Sequence, residues 1–367
     1  MDDETTDTTG TGTTGQHTGH TGHTGEGADG DLLDGLPPGL REAIRPRRAA
    51  PPPDAPRGGL HHIGPRPPSY PPRPRGLPSA RGGDLLAAVL PDTVLDGAEY
   101  GPLTVRAASV RGDSHRWQGE CRQDALCVTR LGTSGVPGTS GADGADGQGL
   151  LLLAVADGVG SAPRSHRGSH AAVCLAAEHL DPVAGDLEAA LRAQDAATFS
   201  GLVNKAVADA AGELRALLGA PGAEYATTLR ALLVPLDPHV AVRGFLAVGD
   251  GGLFRLRGEG WWDIGHPAVT PDGSGVIDTG TAALPDAYQR VVTWLLDPAE
   301  PGDVLVLCTD GFSGPLAGEA RLRAFLAEQW GGTAPVPQPS DFLWQLQARV
   351  KSYDDDRTVV CLWEGVR

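Results

Sequence analysis

The sequence predicts an α+β domain, β-sheets with helices layered outside them, behind a long N-terminal tail without fixed structure. Three observations predict it. Periodic apolar sequence begins only near Leu85; beyond that point short strand patterns recur at turn-punctuated intervals; and pairs of helical patterns interrupt those strand runs. The tail, residues 1–81, divides by charge. Residues 1–34 carry eight acids and no Lys or Arg in a Thr/Gly repeat, TGTTGQHTGHTGHTG, while residues 35–81 carry nine Arg, two acids and 14 of the chain's 31 prolines. Neither half has enough apolar surface to offset its ordering entropy, so both are expected to be disordered, the second biased to polyproline II.

The domain is expected over residues 82–367, enough chain for a single core. TVRAASVRG (104–112) and ALCVTRL (125–131) read as strands, and the Gly/Ser/Ala/Asp stretch 132–149 as a loop. LLLAVAD (151–157) is a continuous apolar run, hence a buried strand. Helical patterns follow at 166–180 and about 198–218, where Leu202, Val203, Ala206, Val207, Ala210 and Leu214 recur at spacings of three and four. YATTLRALLVPL, HVAVRGFLAVGD, GGLFRLRGEG and WWDIG then give four short strands, an antiparallel meander. After a less regular stretch come DVLVLCTDG (303–311), helices near 319–330 and 341–352, and a closing strand, RTVVCLW (357–363).

Composition excludes several functions. The formal charge is −16, from 30 basic against 46 acidic residues, which argues against a nucleic-acid binder. The two lysines, Lys205 and Lys351, do not follow glycine, so there is no lysine-bearing phosphate loop. No apolar run reaches the roughly 18 residues a membrane helix needs, and the acidic start, MDDETTDTTG, lacks the features of a secretory signal. A cytoplasmic protein without membrane association is expected. Five cysteines with no CxxC pair fit reduced, buried thiols. VADGVGSAP is no dinucleotide fingerprint, because Pro163 stands where its third glycine belongs, and no GxSxG nucleophile elbow occurs. His17, His20 and His23 read as low complexity, RPPSYPPRPRG as a linker that resembles an SH3 ligand, and Trp261 and Trp262 as packing residues.

Four aspartates stand where a predicted strand meets a turn: Asp124 before ALCVTRL, Asp157 at the end of LLLAVAD, Asp310 at the end of DVLVLCTD and Asp355 before RTVVCLW. Asp before Gly is also ordinary turn chemistry, so each alone says little. Carboxylates converging on one sheet rim cannot all stay ionised without counter-charge, and divalent cations would supply it. Oxygen-only ligands favour Mg2+ or Mn2+ over Zn2+. Two such ions about 3.5–4 Å apart would acidify a water for in-line attack on phosphorus.

The motifs resemble the metal-dependent protein serine/threonine phosphatases of the 2C type, over roughly residues 100–364. QDALCV (123–128) is similar to the family's (E/Q)DA opening, VADGVGS (155–161) to its DG(M/V)GG, YATTL (225–229) to its GTT, and LAVGDGGLFRL (246–256) to its VGDSRxY(R/L). PGDVLVLCTDG (301–311) is similar to PGDxLLLxSDG, and DDDRTVV (354–360) to the D(N/D)xT ending. The resemblance implies an α-β-β-α sandwich of two antiparallel sheets flanked by helix pairs. It implies metal-dependent hydrolysis of phosphoserine or phosphothreonine in proteins by a water bridging two Mn2+ or Mg2+ ions. It further implies Asp124, Asp157, Asp310, Asp355 and the carbonyl of Gly158 as ligands, with Asp250 at the position of a third, weaker metal. Asp355 is chosen because it stands three before Thr358, which leaves Asp354 and Asp356 as solvated neighbours.

There are departures. The family's phosphate-binding arginine falls on Gly119; a bacterial subset carries histidine in GxxHxxxGxxxQDA, and His115 fits that pattern, with Arg111, Arg116 and Arg122 as alternatives. Ser161 replaces a glycine of the GG pair, and Gly251 the serine of GDS. The expected partners are phosphoproteins of a Ser/Thr kinase pathway. The alternatives are an inactive phosphatase-fold binding or scaffold protein, favoured by the missing arginine, and a phosphatase for a small phosphate ester.

Overall fold

The structure, a computed structural model, describes residues 62–71, 74–79, 84–132, 149–219, 221–265 and 282–365, all within one compact unit, Gly59–Arg367. The Thr/Gly half of the tail with its histidine tract, and most of the loop expected at 132–149, lie outside the described residues.

The elements run α1 (Leu85–Val89), β1 (Thr93–Tyr100), β2 (Leu103–Val110), α2 (Asp113–Gln118), β3 (Ala125–Leu131), β4 (Leu150–Ala156), α3 (Ser165–Leu180), α4 (Ala184–Ala193) and α5 (Ala196–Leu218). There follow β5 (Leu229–Pro235), β6 (Gly244–Val248), β7 (Gly252–Arg257), β8 (Gly260–Asp263), β9 (Val292–Leu295), β10 (Val304–Cys308), α6 (Asp310–Gly318), α7 (Ala320–Trp330), α8 (Pro339–Leu346) and β11 (Arg357–Glu364). A six-stranded sheet has the order β1-β2-β11-β10-β7-β8 and a five-stranded sheet β3-β4-β5-β6-β9, with every pairing antiparallel.

Strand alternation builds four layers. In β4, Leu151, Leu153 and Val155 turn inward, while Leu150, Leu152 and Ala154 turn toward α3 and α5. In β10, Leu305 and Leu307 turn inward, and Val304, Val306 and Cys308 turn toward α6–α8. Both faces of these strands are buried, which is why their sequences read as continuous apolar runs. Each buried Leu contributes about 2 kcal/mol. The expected α-β-β-α sandwich is therefore the fold. Among the described residues no helix is long and apolar enough to cross a membrane.

Helix ends follow local chemistry. Asp195 caps α5 by accepting from the N–H groups of Ala197 (3.1 Å) and Thr198 (3.0 Å), and Gly219, at φ 58°, closes it. Several features went unread in the sequence, among them the helices α1 and α4. β1 is a half-exposed edge strand, TVLDGAEY, with little apolar pattern. α2 and β9 are short, and α6 begins on the very aspartate that ends the β10 motif. The helix expected over 341–352 stops at Leu346. Of the cysteines, Cys121, Cys308 and Cys361 are buried, but Cys127 is half-buried and Cys174 exposed.

The described part of the Arg/Pro-rich segment lies against the domain as a strap. Ile63, 8% exposed, joins the core beneath α6–α8, bridges to Val350, and donates its N–H to the carbonyl of Arg349 at 2.7 Å. Tyr70 accepts from the Arg349 guanidinium through its carbonyl and packs its ring on Trp117 of α2, centroids 6.0 Å apart. Arg75 stacks over the same indole at 4.4 Å, and the N–H groups of Arg75 and Gly76 both donate to the Arg116 carbonyl at 3.1 Å. A boundary at residue 82 leaves these contacts outside the domain.

Candidate active site

Strand register brings the four aspartates to one rim. β3 and β4 pair Ala125 with Ala156, so Asp124, just before β3, stands opposite Asp157, just after β4. β10 and β11 pair Cys308 with Val359, which puts Thr309 and Asp310 beside Arg357 and Thr358, with Asp355 adjoining. Each sheet thus delivers two carboxylates to the same end of the sandwich. β7 pairs Gly252 with Cys308, so the β6–β7 turn carrying Asp250 reaches this rim, and Asp250 adds negative charge to the surroundings of Asp310.

Threonines of the same motifs hold the aspartates. Asp124 is 1% exposed; its Oδ2 accepts from the hydroxyls of Thr309 (2.8 Å) and Thr358 (2.7 Å), which ties one sheet to the other. The main chain of Asp157 is fixed by Thr227 and Thr228: its N–H donates to Thr228 Oγ1 at 2.9 Å, and its carbonyl accepts from Thr227 Oγ1 and the Thr228 N–H, both at 2.8 Å. Gly158 bridges to Thr227. Close approach of α6 to the 354–356 turn requires glycine at 311, since a Cβ there would lie 1.9 Å from the Asp356 carbonyl oxygen. The departures from the family motif are also accounted for. Ser161 does not have positive φ, so it needs no glycine. Gly251 has φ 117°, and a Cβ there would meet the Cys308 carbonyl at 2.7 Å, so serine is excluded.

The electrostatics describe an acid cluster short of counter-charge. Burial, then the charge of Asp356, pushes the Asp124 carboxyl up to about 8 against the pull of its two threonine hydroxyls. Burial, then Asp124, Asp310 and Asp355, pushes Asp157 up to about 12. Asp310 is raised by burial and Asp250, with a hydrogen bond from Asp157 working the other way, and Asp355, half-exposed at its side chain but crowded by the surrounding protein, is raised by that desolvation and by Asp356. One atom is left over: Asp124 Oδ1 is buried and accepts from no N–H or hydroxyl group, with only the carboxyl of Asp157 beside it. An orphaned carboxylate oxygen in an oxygen-only donor set fits a hard divalent cation.

His115 lies at this cluster, on α2 rather than in a loop. Its Nδ1 donates to Asp356 Oδ1 at 2.9 Å, and its Nε2 lies 3.8 Å from Asp355 Oδ1 and 3.7 Å from Glu120 Oε2. Burial alone would lower its pKa, but the hydrogen bond and charge of Asp356, with Asp355 and Glu120, raise it to about 9. The alternative basic residues are otherwise engaged: Arg111 and Arg116 bind Asp92, and Arg122 donates to Ser109 Oγ (2.6 Å) and the Asp124 carbonyl. Asp356 corrects the sequence reading. Expected as a solvated neighbour, it is 2% exposed, and its charge, stabilised chiefly by His115 and backbone N–H groups against the cost of burial, keeps its pKa below the usual value. Its position beside Asp355 in DDDRT was visible; its burial was not.

The buried thiols are poor nucleophile candidates. Burial raises Cys121 to about 11, and pushes Cys308, two residues before Asp310, and Cys361 further up.

Residues 111–343 match the family model described as Protein phosphatase 2C. Among solved structures, the chain is similar to the S. agalactiae serine/threonine phosphatase, at 14% identity over 71% of this chain and 99% of that one, with a TM-score of 0.46. It is similar to PppA of Pseudomonas aeruginosa, described as a key regulatory component of T6SS, at 18% identity over 73% of this chain and 99% of that one, TM-score 0.44. It is also similar to the Mycobacterium tuberculosis serine/threonine phosphatase PstP/Ppp, at 19% identity over 72% of this chain and 99% of that one, TM-score 0.43. No curated protein sequence matches.

Proposed function

This chain belongs to the protein phosphatase 2C family, and from that premise we propose that it hydrolyses phosphoserine or phosphothreonine in proteins with the help of two Mn2+ or Mg2+ ions. The observation that carries the reading is the unpartnered Oδ1 of buried Asp124, set among carboxyls that burial and mutual repulsion drive toward protonation. Asp124, Asp157, Asp310, Asp355 and the Gly158 carbonyl would hold the two ions, and Asp250 a third. When bound, the ions supply Lewis-acid activation of the attacking water and neutralise charge on the phosphoryl group.

The chain's own groups do the rest. Thr309 and Thr358 hold Asp124 by one oxygen and so leave the other aimed at the rim. Thr227 and Thr228 fix the strand end that carries Asp157. His115, a cation at neutral pH, presents Nε2–H to a phosphate oxygen in the place of the family's arginine. No phosphoenzyme is needed, and the high thiol pKa values argue against one through cysteine. The catalytic unit takes in the strap, residues 62–79, with 82–367. The substrates are phosphoproteins made by a Ser/Thr kinase, in the cytoplasm.

The test is release of phosphate from a phosphothreonine peptide by the full chain with Mn2+, with Mg2+ and with chelator, beside Asp157→Asn. Metal-dependent turnover that the substitution abolishes is expected. A folded protein inactive with either ion would replace this reading with that of a binding or scaffold protein.

A further inference from the structure

Asp356 spends its whole acceptor capacity on one region. Oδ1 accepts from the Gly112 N–H at 2.7 Å and from His115 Nδ1 at 2.9 Å; Oδ2 accepts from the Gln123 N–H at 2.5 Å and the Asp124 N–H at 3.3 Å. A carboxylate has about four lone-pair sites, and all are used. The donors come from three places: the start of α2, the imidazole on α2, and the turn that delivers Asp124 to the rim. The main-chain N–H of Asp356 donates in turn to Asp355 Oδ1 at 2.8 Å. His115, Asp355 and Asp356 offer ligand atoms within 4.8 Å of one another, but with its oxygens saturated Asp356 has none to give a cation.

We propose that Asp356 is a positioning residue that joins the phosphate-binding imidazole of His115 to the aspartate cluster, so that phosphate site and metal site keep one geometry. An acceptor-only carboxylate at 2.9 Å obliges Nδ1 to carry a proton, which leaves Nε2 as the ring atom that faces Asp355 and the rim. Gly112 permits the approach, since a Cβ there would lie 2.4 Å from the Asp355 carbonyl carbon. An Asn at 356, which the D(N/D)xT motif allows, would not keep all four of these contacts. Its amide has one acceptor oxygen, so at least one of the two oxygen positions would turn N–H groups toward main-chain N–H donors. Asp356 touches no substrate; it acts through His115 and the Asp124 turn.

The proposal rests on the phosphatase reading, and the test separates the two. In the wild-type chain, 15N-edited NMR of the histidine side chains should show a slowly exchanging Nδ1 proton for His115, lost in Asp356→Asn. A His115 ring without a proton on Nδ1 overturns the proposal whether or not the protein is a phosphatase, and whether or not the variant folds. Inhibition by inorganic phosphate supplies the second readout. His115→Ala and Asp356→Asn should each weaken it about tenfold, the loss typical of removing a partner that orients a ligating group. The double variant should fall well short of the product of the two, because the part of the Asp356 effect that runs through His115 is already lost in His115→Ala. Multiplied effects near a hundredfold, or an unchanged phosphate constant in Asp356→Asn, would sink the idea while leaving the phosphatase in place. Absence of metal-dependent turnover in the wild type would instead remove the reading beneath it.

Discussion

Asp157→Asn should change stability in opposite directions with and without metal. Asp157 is pushed up to about 12 by burial and by Asp124, Asp310 and Asp355, so without a cation the folded protein keeps this carboxyl protonated, whereas the unfolded chain ionises it near 4. An acid whose folded pKa is raised gives its full stability below the unfolded pKa and loses it as pH rises toward the folded value. At pH 7.5 the penalty has an upper bound of about 5 kcal/mol, from roughly 3.6 pH units at about 1.4 kcal/mol each. Several carboxyls share the same field, and relief of one is partly taken up by the others, so we expect about 2 kcal/mol, or a Tm rise of about 5 °C in chelator. With Mn2+ at a hundred times its dissociation constant the wild type gains about 2.7 kcal/mol, and the variant little, so the order reverses. Thermal unfolding followed by circular dichroism between pH 5 and 8, in chelator and in Mn2+, reads both signs. A variant less stable than wild type in chelator at pH 7.5, or a metal-free wild type whose Tm does not fall between pH 5 and 8, would refute the reasoning.

Three further outcomes are expected. Removing residues 1–81 exposes the pocket of Ile63 and takes the strap from Trp117, so Tm should fall by about 5 °C, for about 2 kcal/mol of lost burial, and an unchanged melt would show the strap to be idle. Arg243→Ala leaves Glu364, 3% exposed, without its guanidinium partner, at about 3–5 kcal/mol in urea unfolding; Arg243→Met with Glu364→Leu should lose far less, and equal losses would contradict this account. Gly311→Ala forces α6 off the 354–356 turn, for about 1–3 kcal/mol of strain, and should weaken Mn2+ binding measured by calorimetry, with unaltered affinity as the contrary result.

Much of the site was legible. Aspartates at the ends of apolar strands, two of them (Asp157 and Asp310) followed by glycine, mark a rim where antiparallel neighbours meet, and pairing of Ala125 with Ala156 and of Cys308 with Val359 brings the four to one end of the sandwich. His115 was legible only through its motif, since α2 is six residues long and without an apolar face. The contacts of the strap were not legible because composition measures the apolar surface a segment carries, and a single Ile63 with a few backbone hydrogen bonds suffices when the receiving surface already exists.

The sequence by itself determined most of the buried strands, the longer helices and the acidic strand ends, because apolar periodicity and turn chemistry act over a few residues at a time. Only the tertiary structure decided which of three consecutive aspartates faces which partner. Asp356 and Asp355 are chemically identical in DDDRT, yet Asp355 has a half-exposed side chain and Asp356 is 2% exposed. The donors that select Asp356 lie 232 to 244 residues away along the chain. Burying that carboxylate is tolerable because those groups arrive together, a condition set by the closing of two sheets rather than by its neighbours in sequence.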